Sequence, residues 1–168
     1  MEPKKSEVEI LKTAILLEHK GKAFYNQVAN QTESKAVERI FKMMAEEEDS
    51  HIHFLSRQFT NFLKNDTFLE NEALKSADDT DAIEILSDQI KNEISAASFE
   101  AAAISAAIDF ENKSIEVYTK RAEEATDPNE KKMYQMLADW EKTHHRLLHK
   151  MNEDLKEQIW NDNSFWPF

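Results

Sequence analysis

The stretch "MMAEEEDSH" (residues 43–51) returns 93 residues later as "MLADWEKTH" (136–144), with Met, Ala, Glu and His in the same places. A second pair keeps the same offset. "AILLEHKGKAFY" (14–25) and "AIDFENKSIEVY" (107–118) agree at Ala, Ile, Glu, Lys and Tyr. Each half therefore carries one glutamate in its first segment and a Glu-x-x-His in its second, 30 residues further on. Glu18 precedes Glu48 and His51; Glu111 precedes Glu141 and His144. The midpoints fall at "NQTESK" and "ATDPNE", both rich in turn residues. About fifteen helical residues on either side of a turn, at ~1.5 Å each, bring each pair of glutamates back to one height. All four lie mid-way along the same bundle.

The intervening patterns are helical. Apolar residues at 3–4 spacing predict helices over about Ser6–Asn30, Ser34–Leu63 and Ser98–Ala125. The first carries Ile10, Ala14, Leu17, Phe24 and Val28; the third carries Ile104, Ala107, Ile108, Ile115 and Tyr118. A fourth helix opens at Asp127 as N-cap, with Pro128 at its first position and Glu130 completing a capping box, and runs past Leu155. The seam of the second helix reads 37, 41, 44, 48, 51, 55 and that of the fourth 134, 137, 141, 144, 148, so both Glu-x-x-His pairs interrupt an apolar stripe. Glu46, Glu47 and Asp49 fall off the seam and are expected in solvent, as are His19, His53, His145 and His149. Between the hairpins lies a polar, broken stretch, "KNDTFLENEALKSADDT". Asp81 and Glu84 then open a short helix with Ile83, Leu86 and Ile90 on one side. Hairpin, long crossover, hairpin is the order of an all-α, ferritin-like four-helix bundle. The bundle is assigned to residues 1–156 and an aromatic tail, ending in "IWNDNSFWPF" (159–168), to 157–168, where it is expected to dock on the bundle or on a neighbouring subunit.

Composition agrees with this reading and narrows the function. The chain has 168 residues, one Gly, three Pro, 40% hydrophobic and 32% charged residues. That suits one domain of amphipathic helices. Its net charge of −12 disfavours nucleic acid as a partner. No apolar run approaches the ~20 residues of a membrane span, and "MEPKKSEVEI" does not read as a signal peptide, so a cytoplasmic protein is expected. With no cysteine there is no thiol catalysis and no cysteine-held iron–sulfur cluster.

Four ionised carboxylates in a core are not tolerated alone, because burial and mutual repulsion each cost several kcal/mol. No Lys or Arg occupies the inward positions at their level, so metal is the natural counter-charge. Two divalent ions neutralise four carboxylates and leave the imidazoles as neutral ligands. Glu and His at i, i+3 share a helix face. One Glu from each of two helices and a Glu-x-x-His from each of the other two is the carboxylate di-iron or di-manganese pattern. The expected metal ligands are therefore Glu18, Glu48, His51, Glu111, Glu141 and His144. Oxygen and imidazole donors suit iron, with manganese as the alternative.

At these residues the chain resembles the rubrerythrin-type proteins of the ferritin-like superfamily, over about residues 6–156. "AILLEHKGKAFY", "EEEDSH", "AIDFENKSIEVY" and "WEKTH" carry the likeness. The resemblance implies that Glu48 and Glu141 bridge two irons, that Glu18 with His51 terminates one, and that Glu111 with His144 terminates the other. It implies that Tyr25 and Tyr118, each seven residues after a ligand, hydrogen-bond ligand carboxylates. It also implies reduction of hydrogen peroxide, or dioxygen, to water by the four glutamates and their irons. Full-length relatives carry a four-cysteine rubredoxin domain; here the electrons are expected from an external donor, rubredoxin-like or a flavoprotein. Relatives place a further glutamate three residues after the third-helix ligand, where this chain has Ser114. Gly21, the only glycine, holds the matching place in the first helix. It serves either a close helix approach or free volume for a small oxidant. Two other readings are a ferroxidase that handles iron in a cage-like oligomer, and a non-catalytic bundle stabilised by metal. Apolar patches in the tail and crossover favour a homodimer.

Overall fold

The computed structural model describes residues 3–70, 89–90, 93 and 99–163. Four helices form it: α1 (Pro3–Gln31), α2 (Lys35–Asn65), α3 (Phe99–Glu124) and α4 (Pro128–Asn163). All four expected helices are present, with ends that follow local chemistry. Ser34 caps α2 from an extended conformation, its Oγ accepting the Val37 N–H at 3.2 Å. Asp66 closes α2 in the left-handed region (φ 57°), donating its N–H to the Phe62 carbonyl at 2.9 Å. Asp127 caps α4 by accepting from the Asn129 and Glu130 N–H groups at 2.8 and 3.0 Å. The expected capping box is only half formed. Glu130 turns its buried carboxylate to the Arg121 guanidinium, 2.8 Å away, because a charged partner across the turn binds it more strongly than a backbone N–H.

α1 packs on α2 and α3 on α4, each pair a hairpin. One apolar cluster (Val28, Ile40, Phe41, Met44, Ile104, Leu148, Met151) fills the end holding the α1–α2 turn. A second (Leu11, Leu55, Phe62, Tyr118, Met133, Leu137) fills the end holding the α3–α4 turn. α2 finishes beside the second cluster and α3 begins beside the first, at opposite ends of the bundle. Asp81, Ile83, Glu84 and Leu86 of the expected crossover helix lie outside the described residues. Ile90 is described, helical, and buried in the first cluster. Glu93 binds Ser34 Oγ at 2.6 Å and the Ala36 N–H at 3.3 Å, anchoring the crossover at the start of α2. α4 continues through Asn163, and residues 164–168 of the expected tail lie outside the described set.

The seams of α2 and α4 are buried at every expected position. In α1 and α3 the inward line differs from the stripes read in the sequence. It runs Leu11, Ala14, Glu18, Gly21, Tyr25, Val28 in α1 and Ile104, Ala107, Glu111, Ser114, Tyr118 in α3, all buried. Ile10, Leu17, Phe24, Ile108 and Ile115 are half-buried flanks. An apolar face ~100° wide contains two adjacent rows, and periodicity alone does not say which one meets the bundle axis.

Gly21 belongs to the buried line for a steric reason. A Cβ there would lie 2.9 Å from Phe110 Cε1 and 3.3 Å from Glu48 Cδ. The space beside Gly21 is filled by a neighbouring helix and is not free volume. Ser114 is likewise closed, with its hydroxyl donating back to the Phe110 carbonyl at 3.2 Å. Gly21→Ala should destabilise the protein by about 1 kcal/mol, because ~1–3 kcal/mol of overpacking outweighs ~1 kcal/mol of helix propensity. Chemical denaturation checks this, and equal or greater stability would show that Phe110 moves aside freely.

Candidate metal centre

Between the two apolar clusters lies one polar layer. Glu18, Glu48, His51, Glu111, Glu141 and His144 are each at most 6% exposed. Their ligand atoms form two groups, each within 4.8 Å: Glu18, Glu48, His51 and Glu141, and Glu48, Glu111, Glu141 and His144. Glu48 and Glu141 belong to both. The six candidates drawn from four helices converge at one depth, and the two glutamates of the Glu-x-x-His pairs are the shared ones.

Both imidazoles turn Nδ1 toward the carboxylates. His51 Nδ1 is 2.9 Å from Glu18 Oε2, 3.2 Å from Glu141 Oε1 and 3.5 Å from Glu48 Oε2. His144 Nδ1 is 3.3 Å from Glu111 Oε1, 3.4 Å from Glu48 Oε1 and 3.6 Å from Glu141 Oε2. Among the described residues these imidazoles are the only cationic partners of the four carboxylates.

The two tyrosines serve the opposite hairpin. Tyr25 of α1 donates its hydroxyl to Glu111 of α3, and Tyr118 of α3 donates to Glu18 of α1. Each tyrosine thus holds one oxygen of the lone glutamate across the bundle. Burial first, and then the nearby carboxylate charges, push both phenols well above their ordinary range, so they stay protonated donors.

The electrostatics of the layer sort the acids into two kinds. Burial, followed by the charges of Glu141 and Glu48, raises Glu18 well above the usual carboxylate range. Burial likewise raises Glu111, to about 8, against the opposing pull of the nearby His144 imidazole. Burial also acts on Glu48 and Glu141, but the attraction of the adjacent His144 and His51 imidazoles outweighs it and holds both below the ordinary value. The imidazoles are pulled down by burial and raised further by their carboxylate partners, ending well above 6.5. Burial thus pushes the two lone glutamates toward their protonated form, while the imidazoles hold the two shared glutamates toward the ionised one.

These attractions leave several polar atoms of the layer without a hydrogen bond. Glu48 Oε1, Glu111 Oε2, both Glu141 oxygens and His144 Nδ1 are buried with no hydrogen-bond partner. Each such atom costs ~1–3 kcal/mol. All four residues belong to the second ligand group, and Glu48 and Glu141 to the first as well. These residues fit a pair of divalent ions.

Two participants escaped the sequence reading. Glu47, expected in solvent, is about one-third exposed and accepts from His144 Nε2. Trp140 of α4 stacks on His51 at 4.8 Å between ring centroids and 12° between planes. Both directly precede a shared glutamate, a position next to the seam that faces the neighbouring hairpin. Glu46 and His19 are exposed as expected, Asp49 pairs with Lys22 at 2.5 Å, and His53 is 76% exposed. His145 and His149 stack on each other away from the layer. No helix among the described residues is long and apolar enough to cross a membrane.

The chain has no match among curated proteins or solved structures. Residues 9–152 match the family described as Rubrerythrin, which spans both hairpins, the crossover and all six converging side chains. The chain belongs to the rubrerythrin family.

Proposed function

We propose that this protein is a di-iron oxidoreductase that reduces hydrogen peroxide, or dioxygen, to water with electrons from an external donor. Glu18, Glu48, His51, Glu111, Glu141 and His144 hold the metal in this reading. The supporting observation is the pair of overlapping buried groups that share Glu48 and Glu141. Two irons there would supply the two electrons that each peroxide takes up, and Lewis acidity at its oxygens. The chain's own work is positioning. Tyr25 and Tyr118 keep Glu111 and Glu18 from swinging, and the apolar clusters on either side exclude bulk water. Ser114 adds no carboxylate to the layer, and among the described residues the two ligand groups comprise these six.

The test is reoxidation of the anaerobically reduced, iron-loaded protein in a stopped-flow instrument. About two irons per chain and faster oxidation by peroxide than by air-saturated buffer are expected. Slower oxidation by peroxide would remove the peroxidase assignment. Many irons per particle in a large assembly would replace it with iron handling.

A further inference from the structure

The 93-residue offset that superposes the hairpins sets Glu47 against Trp140. Their places are equivalent and their chemistry is opposite. Glu47 holds Nε2 of His144, whereas Trp140 lies flat against the ring of His51. Among the described residues, His51 Nε2 has no hydrogen-bond partner in the protein.

Resting on the dinuclear reading above, we propose that the cage fills in order. The Glu111–His144 half, anchored by Glu47, takes its ion first and more tightly; the Glu18–His51 half, resting on Trp140, fills second.

Two physical effects favour this order. A histidine that ligates through Nδ1 must carry its remaining hydrogen on Nε2. A carboxylate accepting that hydrogen fixes the tautomer, holds the ring in plane and makes the ligand nitrogen more basic; losing such a partner typically costs ~10–100-fold in metal affinity. His144 has that partner and His51 does not. Stacking on Trp140 sets the plane of the His51 ring but leaves its tautomer open, because an indole face accepts no strong hydrogen bond. Glu47 also places a further negative charge one imidazole away from the His144 half, in a poorly screened layer where charges act strongly. At the His51 half the matching position contributes an apolar ring, packed in turn on Phe54 at 5.6 Å.

Trp140 also provides the means to watch the second step. The chain has three tryptophans, so Trp160→Phe with Trp166→Phe leaves Trp140 as the sole indole. Metal-free protein with these substitutions is titrated with cobalt(II), a paramagnetic quencher, while heat and indole emission are followed together. Two steps about 10–100-fold apart in affinity are expected, with emission falling on the second equivalent. Adding Glu47→Ala, at a part-exposed position, should weaken the tighter half by about that factor, drawing the two steps together and spreading the quenching over both equivalents. Quenching complete at the first equivalent in the parent, two equal steps, or a Glu47→Ala variant with unaltered steps would overturn the order of filling. Two equal steps would leave the dinuclear reading intact. Failure to bind cobalt in the cage at all would overturn both.

Discussion

Addition of two equivalents of ferrous or manganous ion to the metal-free protein should raise its melting temperature by roughly 15 °C or more and release about four protons. The stabilisation follows from mass action. An ion at a thousand times its dissociation constant contributes ~4 kcal/mol, and two such ions contribute about twice that. In a chain of this size each kcal/mol is worth ~2–4 °C. The protons follow from the state of the layer. Burial pushes Glu18 and Glu111 toward the protonated form, and the surrounding carboxylates favour the protonated forms of His51 and His144. Six metal ligands require four carboxylates and two neutral imidazoles, so two acids and two imidazolium ions must each give up a proton. Calorimetry in buffers of different ionisation enthalpy counts them. Release of none would mean that the ions bind elsewhere.

The same protons set the pH dependence of the metal-free protein. A group whose folded pKa is raised binds more protons folded than unfolded across the interval between the two values, and there stability falls as pH rises. For Glu111 that interval runs from about 4.5 to about 8, and for both histidines it begins near 6.5. Glu48 and Glu141 have lowered values and oppose unfolding above about 4.5, losing that contribution as the solution is acidified through their folded values. The metal-free protein should therefore be most stable in mildly acidic solution and lose stability from about pH 6 to pH 8, by ~1.4 kcal/mol per pH unit for each mismatched proton. The loaded protein should show the reverse slope over that range, because metal and protons compete for the same atoms. Melting curves of the two forms at pH 6 and pH 8 decide the matter, and parallel slopes would contradict it.

Glu141→Gln should have the largest effect of any single substitution. Glu141 belongs to both ligand groups, and both of its oxygens are buried without hydrogen-bond partners. Glutamine keeps the shape but removes the charge and turns one oxygen into a donor amide. Pairwise metal binding should be lost, with affinity reduced by more than the ~100-fold that loss of a supporting partner alone can cost. The metal-free form should also weaken, since His51 and His144 both lean on this carboxylate. Removing one member of a buried charge pair costs ~3–5 kcal/mol. Glu46→Gln, on an exposed position of the same helix, is the control and should change neither property. Two tightly bound ions in the Glu141→Gln protein would refute its assigned place in the cage.

Much of this was legible in the sequence because repetition constrains geometry. Equal distances from Glu18 to Glu48 and from Glu111 to Glu141 around a turn fix their height, and the 3–4 seam fixes the direction of Glu48, His51, Glu141 and His144. What lay across the bundle was less legible. The sequence places Tyr25 and Tyr118 near ligands but does not say that each reaches the other hairpin, since that depends on how the hairpins meet. Glu47 read as solvated because it sits one residue off the seam, yet that boundary row faces the adjacent helix, and His144 draws it in. Trp140 was hidden for the same reason. The first and third helices revealed their apolar faces but not the inner row, which only packing against Phe110 and the other hairpin selects.

The most direct measurement is anomalous diffraction at the iron edge from crystals grown anaerobically with ferrous salt. Two peaks enclosed by Glu18, Glu48, His51, Glu111, Glu141 and His144 are predicted, each within reach of Glu48 and Glu141. A well-ordered structure with those side chains closed on one another and no anomalous scatterer among them would contradict the account.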